Sequence, residues 1–261
     1  MNPRLMGVVN VTPDSFSDGG LYLDPETAVA HGRELEAAGA EILDVGGEST
    51  RPGAEPVGVE EELRRIVPVI RGLAGGSRIS IDTSKAAVAA AALDAGAEIV
   101  NDVTALRGDP EMASLCAERG ATVVLMHMLG EPRTMQEDPR YEDVVDDVKA
   151  FLVKRLEAAV AAGIAEGRIW LDPGIGFGKT SAHNMELLRR LGELRELGRP
   201  LVIGTSRKSF IGSVDGSPAD QRLGGTIASS VLAAAEGAEV LRVHDVAEVR
   251  QALTLATAVL G

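Results

Sequence analysis

Asp172 stands where a short apolar stretch, residues 169–171, gives way to Pro173 and to glycines at 174, 176 and 178. Proline cannot extend a strand ladder, and glycine permits turns that a Cβ would close. A carboxylate is thereby held at a strand tip beside backbone that a ligand can approach. Taken alone, an aspartate before Pro-Gly could simply cap a turn. Other apolar runs end the same way, however, in Asn10, Asp44, Asp82, Asn101 with Asp102, His127, Ser206 with Lys208, and Arg242 with His244. Acids and amides in such number are costly to desolvate without partners, so Asp82, Asn101 and Asp172 ask for a ligand offering several N–H donors. Arg51, Lys208, Arg242 and His244 supply the cations for an anion beside it. One pocket would then hold a donor-rich ring and a phosphate-like group. Asp44, Asp102 and His127 suit structural roles equally well, Asp102 by capping the turn after it and His127 by hydrogen bonding within the rim.

Such tips converge only if the strands run parallel, and the chain carries a repeated joint that makes them do so. Ala38-Gly-Ala-Glu-Ile-Leu-Asp44, Ala95-Gly-Ala-Glu-Ile-Val-Asn101 and Glu236-Gly-Ala-Glu-Val-Leu-Arg242 are near copies, and Arg119-Gly-Ala-Thr-Val-Val-Leu125 is a looser one. In each, a helix ends at a glycine suited to the left-handed position and a β-branched run follows at once. Helical spacing covers 27–38, 60–73, 85–93, 112–118, 141–163, 184–197, 219–236 and 245–260. Strands are expected at 5–10, 42–45, 79–82, 99–101, 122–127, 169–172, 201–204 and 240–244. Asp24-Pro25-Glu26 and Ser217-Pro218-Ala-Asp220 read as helix starts with Pro at the first helical position. The alternation predicts an α/β chain closed into a (β/α)₈ barrel, a fold of about 250 residues whose chemistry sits at the C-terminal ends of its strands. An open doubly wound sheet is the alternative.

Composition sets the outer limits. A chain of 261 residues with 45% hydrophobic content can bury a large core, and no linker or low-complexity tract divides it, so one domain over 1–261 is expected. A net charge of −13 excludes a general nucleic-acid surface. The apolar run at 5–11 is too short for a signal peptide or a membrane span, and the single cysteine, Cys116, cannot build a disulfide framework. A cytoplasmic protein without a membrane partner is expected.

Three loops carry a resemblance: Asn10-Val-Thr-Pro-Asp-Ser-Phe-Ser-Asp-Gly-Gly20, Gly46-Gly-Glu-Ser-Thr-Arg-Pro-Gly53 and Asp172-Pro-Gly-Ile-Gly-Phe-Gly-Lys179. With Ile81-Asp-Thr-Ser-Lys85, Asn101-Asp-Val103, Met126-His-Met128, Ser206-Arg-Lys208 and Arg242-Val-His-Asp245, the chain resembles the dihydropteroate synthase family from its first strand to its last. No motif position departs from that pattern. The resemblance implies a (β/α)₈ barrel, a homodimer, Mg²⁺, and the joining of p-aminobenzoate to 7,8-dihydropterin-6-ylmethyl diphosphate. It further implies that Asp82, Asn101 and Asp172 bind the pterin, with Lys208 at its carbonyl side and Met126 as a wall. Arg242, His244, Arg51 and Asn10 would meet the diphosphate and metal, and Thr50, Pro52, Phe177 and Ser206 the aminobenzoate. Asp82, Arg51, Lys208, Arg242 and His244 would be the catalytic set. The two glycine-bearing loops after the first and second strands are expected to close over the diphosphate. A pterin-binding methyltransferase on the same barrel, and an idle pterin-binding homologue, are the rival readings.

Overall fold

The computed structural model describes residues 2–12, 24–49, 55–131 and 134–260. Thr50, Arg51, Pro52 and most of the first loop lie outside the described residues, as do the expectations placed on them. Strands and helices alternate: β1 (Arg4–Asn10), α1 (Pro25–Ala38), β2 (Ile42–Gly46), α2 (Val59–Leu73), β3 (Arg78–Asp82), α3 (Ala86–Ala95), β4 (Ile99–Asp102) and α4 (Met112–Arg119). There follow β5 (Thr122–Met126), α5 (Val144–Ala161), β6 (Ile169–Asp172), α6 (Ser181–Arg189), β7 (Val202–Ile203), α7 (Ser209–Asp215), α8 (Leu223–Ala235), β8 (Val240–Val243) and α9 (Val246–Leu260).

The eight strands form one parallel sheet in the order β6-β5-β4-β3-β2-β1-β8-β7, and a bridge from Leu171 to Leu201 closes β6 onto β7. This is the (β/α)₈ barrel, and closure rules out the open sheet. Because side chains alternate along a strand, every second residue points into the barrel. Met6, Ile42, Ile99, Val124, Trp170, Val202 and Val240 pack into one apolar layer inside it. Arg4 lies 4.5 Å and Arg78 5.6 Å from the Trp170 ring centroid. Two residues further along the same strands come Val8, Asp44, Asn101, Met126, Asp172, Gly204 and Arg242, so the parity that plants the core also turns the polar tips inward. The intervening residues, among them Leu5, Val9, Leu43, Val45, Ile79 and Ile81, face outward into the larger core shared with the helices.

The αβ joints form as the repeats predict. Gly39, Gly96, Gly120 and Gly237 all have positive φ, and Gly39 and Gly96 close α1 and α3 in the left-handed conformation. Asp24 caps α1 by accepting from the Thr27 amide, with Pro25 at the first position. Several boundaries differ from expectation; the helix expected over 141–163 spans Val144–Ala161. The helix expected over 184–197 begins at Ser181, where Thr180 and His183 form a reciprocal capping box, and gives way after Arg189 to a 3₁₀ segment over Leu191–Leu197. The helix expected from 219 begins at Leu223, after a separate 3₁₀ turn at Ala219–Gln221, and Ser217 does not cap it. α7 was not anticipated, its seven residues being too few for a periodic signal. Cys116 is buried, as expected of a small hydrophobe. Among the described residues no helix is long and apolar enough to cross a membrane.

Candidate active site

At the C-terminal mouth of the barrel lies a cleft of about 520 Å³. Asn10, Asp82, Phe177, Ser206, Lys208, Arg242 and His244 all line it, together with Thr12, Glu48, Ser49, Gln136 and Ser209. Glu48 and Ser49 carry the chain to its edge immediately before Thr50 and Arg51. Gly46 and Gly204 occupy inward positions without side chains. A Cβ on Gly46 would sit 3.5 Å from Asp82 Cβ and 3.9 Å from Asn10 Oδ1, and one on Gly204 3.7 Å from Lys208 Nζ. These glycines keep the mouth open.

The predicted acids and cations are not at opposite ends of the molecule. Arg242 Nε donates to Asp44 Oδ2 at 2.5 Å and its Nη2 to Asp82 Oδ2 at 2.9 Å. Asn101 Nδ2 donates to the same Asp44 oxygen at 3.1 Å. Asp44, fully buried, is therefore the counter-ion that holds Arg242 and orients the Asn101 amide. Two of the five guanidinium N–H groups are committed this way, leaving the others for an anion in the cleft. Burial works against Arg242's charge, but Asp44 and Asp82 outweigh it and raise its pKa further. Burial pushes Asp82 up to about 7 against the pull of Arg242.

Asp172 is buried at the tip of β6, and its Oδ1 accepts from the Gly174 amide at 2.6 Å. Burial raises its pKa, with Lys208 as the strongest opposing influence. Lys208 crosses the cleft from the start of α7. Its ammonium donates to the Ile175 carbonyl and lies 4.7 Å from the Phe177 ring centroid. Enclosure lowers its pKa to about 8, with Asp172 pulling the other way. Ser206 Oγ is 2.9 Å from His244 Nδ1 and accepts from the His244 amide at 3.2 Å, which joins the tips of β7 and β8. Between them Arg207, held at φ +55°, is clamped to Asp245 through Nε at 3.0 Å. Met126 packs with Val103, Met128 and Met135 as an apolar patch that Phe177 covers.

The loop glycines adopt the positive φ that their sequence suggested, but Gly174 and Gly178 pack on protein backbone rather than leaving it open to a ligand. Gly174 has φ +67°, and a Cβ there would fall 1.9 Å from the His127 carbonyl oxygen. Gly174→Ala is expected to cost about 3 kcal/mol or more of stability, read from denaturant unfolding; an unchanged midpoint would contradict this contact.

Several members escaped sequence reasoning. Lys85 Nζ donates to Glu48 and, at 2.6 Å, to the fully buried Glu62, tying the second loop to α2. The available signal was Glu62 itself, a carboxylate in register with Ile66, Val69, Ile70 and Leu73 on the buried face of α2. Asp102 does cap its turn, accepting from Thr104 and Leu106 amides at 2.8 Å. His127 bonds within the rim to Lys179, whose part the sequence did not suggest. Among the described residues no group of three or more His, Cys, Asp or Glu is placed to hold a metal.

Comparison with known proteins agrees with this geometry. The model of the family described as pterin binding enzyme matches residues 6–244. The dihydropteroate synthase of Escherichia coli (strain K12) is 46% identical over 262 residues, covering 100% of this chain and 93% of that protein. That of Mycobacterium leprae is 51% identical over 251 residues, covering 93% and 88%. The Yersinia pestis dihydropteroate synthase, solved with a sulfonamide drug complex, superposes with a TM-score of 0.96 at 45% identity, covering 99% of this chain and 94% of the other. The Xanthomonas albilineans dihydropteroate synthase in complex with 7,8-dihydropteroate superposes at 0.90 with 48% identity, covering 100% and 94%. The barrel, the cleft at its mouth and these matches together make the chain a member of the pterin-binding enzyme family, in its dihydropteroate synthase branch.

Proposed function

We infer that the protein joins p-aminobenzoate to 7,8-dihydropterin-6-ylmethyl diphosphate, releasing 7,8-dihydropteroate and diphosphate. The observation that carries this is the cleft lined by Asp82, Lys208, Arg242 and His244, with Asn101 sharing the Asp44 carboxylate with Arg242 and Asp172 acting on Lys208. A pterin edge offers ring and amino N–H donors to that set, and Lys208 meets its carbonyl side. Phe177 and Ser206 receive the aminobenzoate, joined by Thr50 and Pro52. Arg51, Arg242 and His244 receive the diphosphate.

The bond that breaks joins the pterin CH₂ to diphosphate oxygen, and its electron pair leaves with diphosphate. Arg242 and His244 stabilise that developing charge, while Asp172 favours positive charge on the ring. The neutral arylamine then forms the C–N bond and afterwards gives up one N–H proton. No covalent nucleophile is needed. Mg²⁺ fits the donor set: Asn10 presents an amide oxygen toward the space that Gly46 leaves open, and this ion takes one or two protein oxygens together with substrate phosphates. Bound there, it would add charge neutralisation at the diphosphate.

A homodimer is part of the same proposal, supported by apolar side chains left exposed on α8 and α9, Leu232, Leu255 and Val259. Cytoplasmic action is supported by the single, buried cysteine.

Incubation with the pterin diphosphate, p-aminobenzoate and Mg²⁺ tests the reading. Diphosphate release that depends on the arylamine is expected; release without it, or none, would overturn the assignment. Lys208 adds a pH signature. Its charged form donates, so activity is present below its pKa and lost above it. In the free enzyme kcat/KM is expected to fall as pH rises through about 8. Lys208→Arg, which keeps its proton, should move that limb upward; a limb that stays in place assigns it to another group.

A further inference from the structure

Four successive carbonyls of the glycine loop are each taken by a side-chain donor. Ile175 accepts from Lys208 Nζ, Gly176 from Gln136 Nε2 at 2.6 Å, Phe177 from Lys179 Nζ at 3.0 Å, and Gly178 from Tyr141 Oη at 2.7 Å. Lys179 differs from the other three in being a lysine amine at 2% exposure, beneath the loop rather than across the cleft. Its Nζ also meets His127 Nδ1 at 2.8 Å and the His127 carbonyl at 3.4 Å, and burial lowers its pKa well below the usual lysine range. The imidazole can accept because burial holds it neutral, its pKa pushed down to about 2. His127 is a firm anchor: it follows β5, its amide donates to the Asp172 carbonyl at 2.9 Å, and its ring meets Phe151 edge-on at 4.8 Å. Burying an amine is expensive, and an apolar side chain of similar length would fill the space at lower cost.

We propose that Lys179 is a positioning residue, which ties the Phe177 carbonyl to His127 and so fixes the Phe177 ring as the platform for the arylamine. This rests on the reaction inferred above. Phe177 is then held on both sides, by Lys179 through its backbone and by Lys208 over its ring. The pterin contacts of Asp82 and Asn101 come from other strands, and the Asp172 carboxylate, which feels Lys179 only through its charge, is oriented by the Gly174 amide.

The test is Lys179→Met, which keeps most of the length and removes every donor. KM for p-aminobenzoate should rise about 10-fold or more, while Kd for the pterin diphosphate, titrated calorimetrically without the arylamine, stays within about 2-fold. Phe177→Ala should show the same selectivity, and the double variant should be no worse than Phe177→Ala alone, since both changes remove one platform. If Lys179→Met does not fold, His127→Phe keeps the packing on Phe151, removes the ring acceptor, and should show the selective rise in KM in milder form. Unchanged KM, equal weakening of both substrates, or effects that multiply in the double variant would overturn the proposal. Failure of the unmodified protein to release diphosphate in an arylamine-dependent way would sink the functional reading instead.

Discussion

Arg242→Ala is expected to lower kcat/KM by about 10²-fold or more and, in the same protein, to cost about 3–5 kcal/mol of folding stability. The two losses have one origin. Arg242 is the shared partner of Asp44 and Asp82, both buried, and alanine leaves two carboxylates facing each other without a counter-charge. It also removes the N–H groups that would meet the departing diphosphate. Lysine at 242 restores one charge but cannot span both acids, so Arg242→Lys should recover part of the stability and little of the rate. Denaturant midpoints measured beside kcat/KM separate the effects. Near-normal turnover in Arg242→Ala would remove the residue from the mechanism, and an unchanged midpoint would deny the buried pairing.

Asp172→Asn should behave in the opposite way on stability. The isostere keeps an oxygen for the Gly174 amide, yet replaces a charged acceptor by a neutral one that also carries donors toward a donor-rich ring. Losing a charge-assisted bond and leaving buried N–H groups unpaired is worth about 3–4 kcal/mol, or roughly 10²–10³ in kcat/KM. The fold, however, gains. Burial raises the Asp172 pKa above its unfolded value, so the favourable contribution belongs to the protonated acid. It is complete below the unfolded pKa near 4 and is lost as pH rises through the folded one. Above that folded value the carboxylate is a cost that asparagine removes, and Tm should hold or rise there. Activity and Tm falling together would show that Asp172 serves the fold rather than the ligand.

Much of this was legible in the chain because one rule governs both core and site. Ile42 and Asp44, Ile99 and Asn101, Trp170 and Asp172, Val240 and Arg242 are each two residues apart on a strand, so the residue that fills the barrel fixes the direction of the one that does chemistry. The Gly-Ala-Glu joints gave the parallel order. What the chain did not disclose is pairing across the barrel. Asp44 could have been decoration, and nothing local marks it as the partner of an arginine 198 residues later. The broken helix after Thr180 was hidden for a different reason: its capping box uses His183 where glutamate or glutamine is usual. Lys179 read as the end of a motif, and only the fold shows that its amine turns back beneath Phe177.

A crystal structure of the protein with 7,8-dihydropterin-6-ylmethyl diphosphate and Mg²⁺, without arylamine, measures the central claim directly. The pterin ring should lie with its donor edge on Asp82, Asn101 and Asp172, its diphosphate toward Arg242, His244 and Asn10, and the face of Phe177 left open. Density that places the ring away from the three acid and amide side chains, or the diphosphate remote from Arg242, would contradict it.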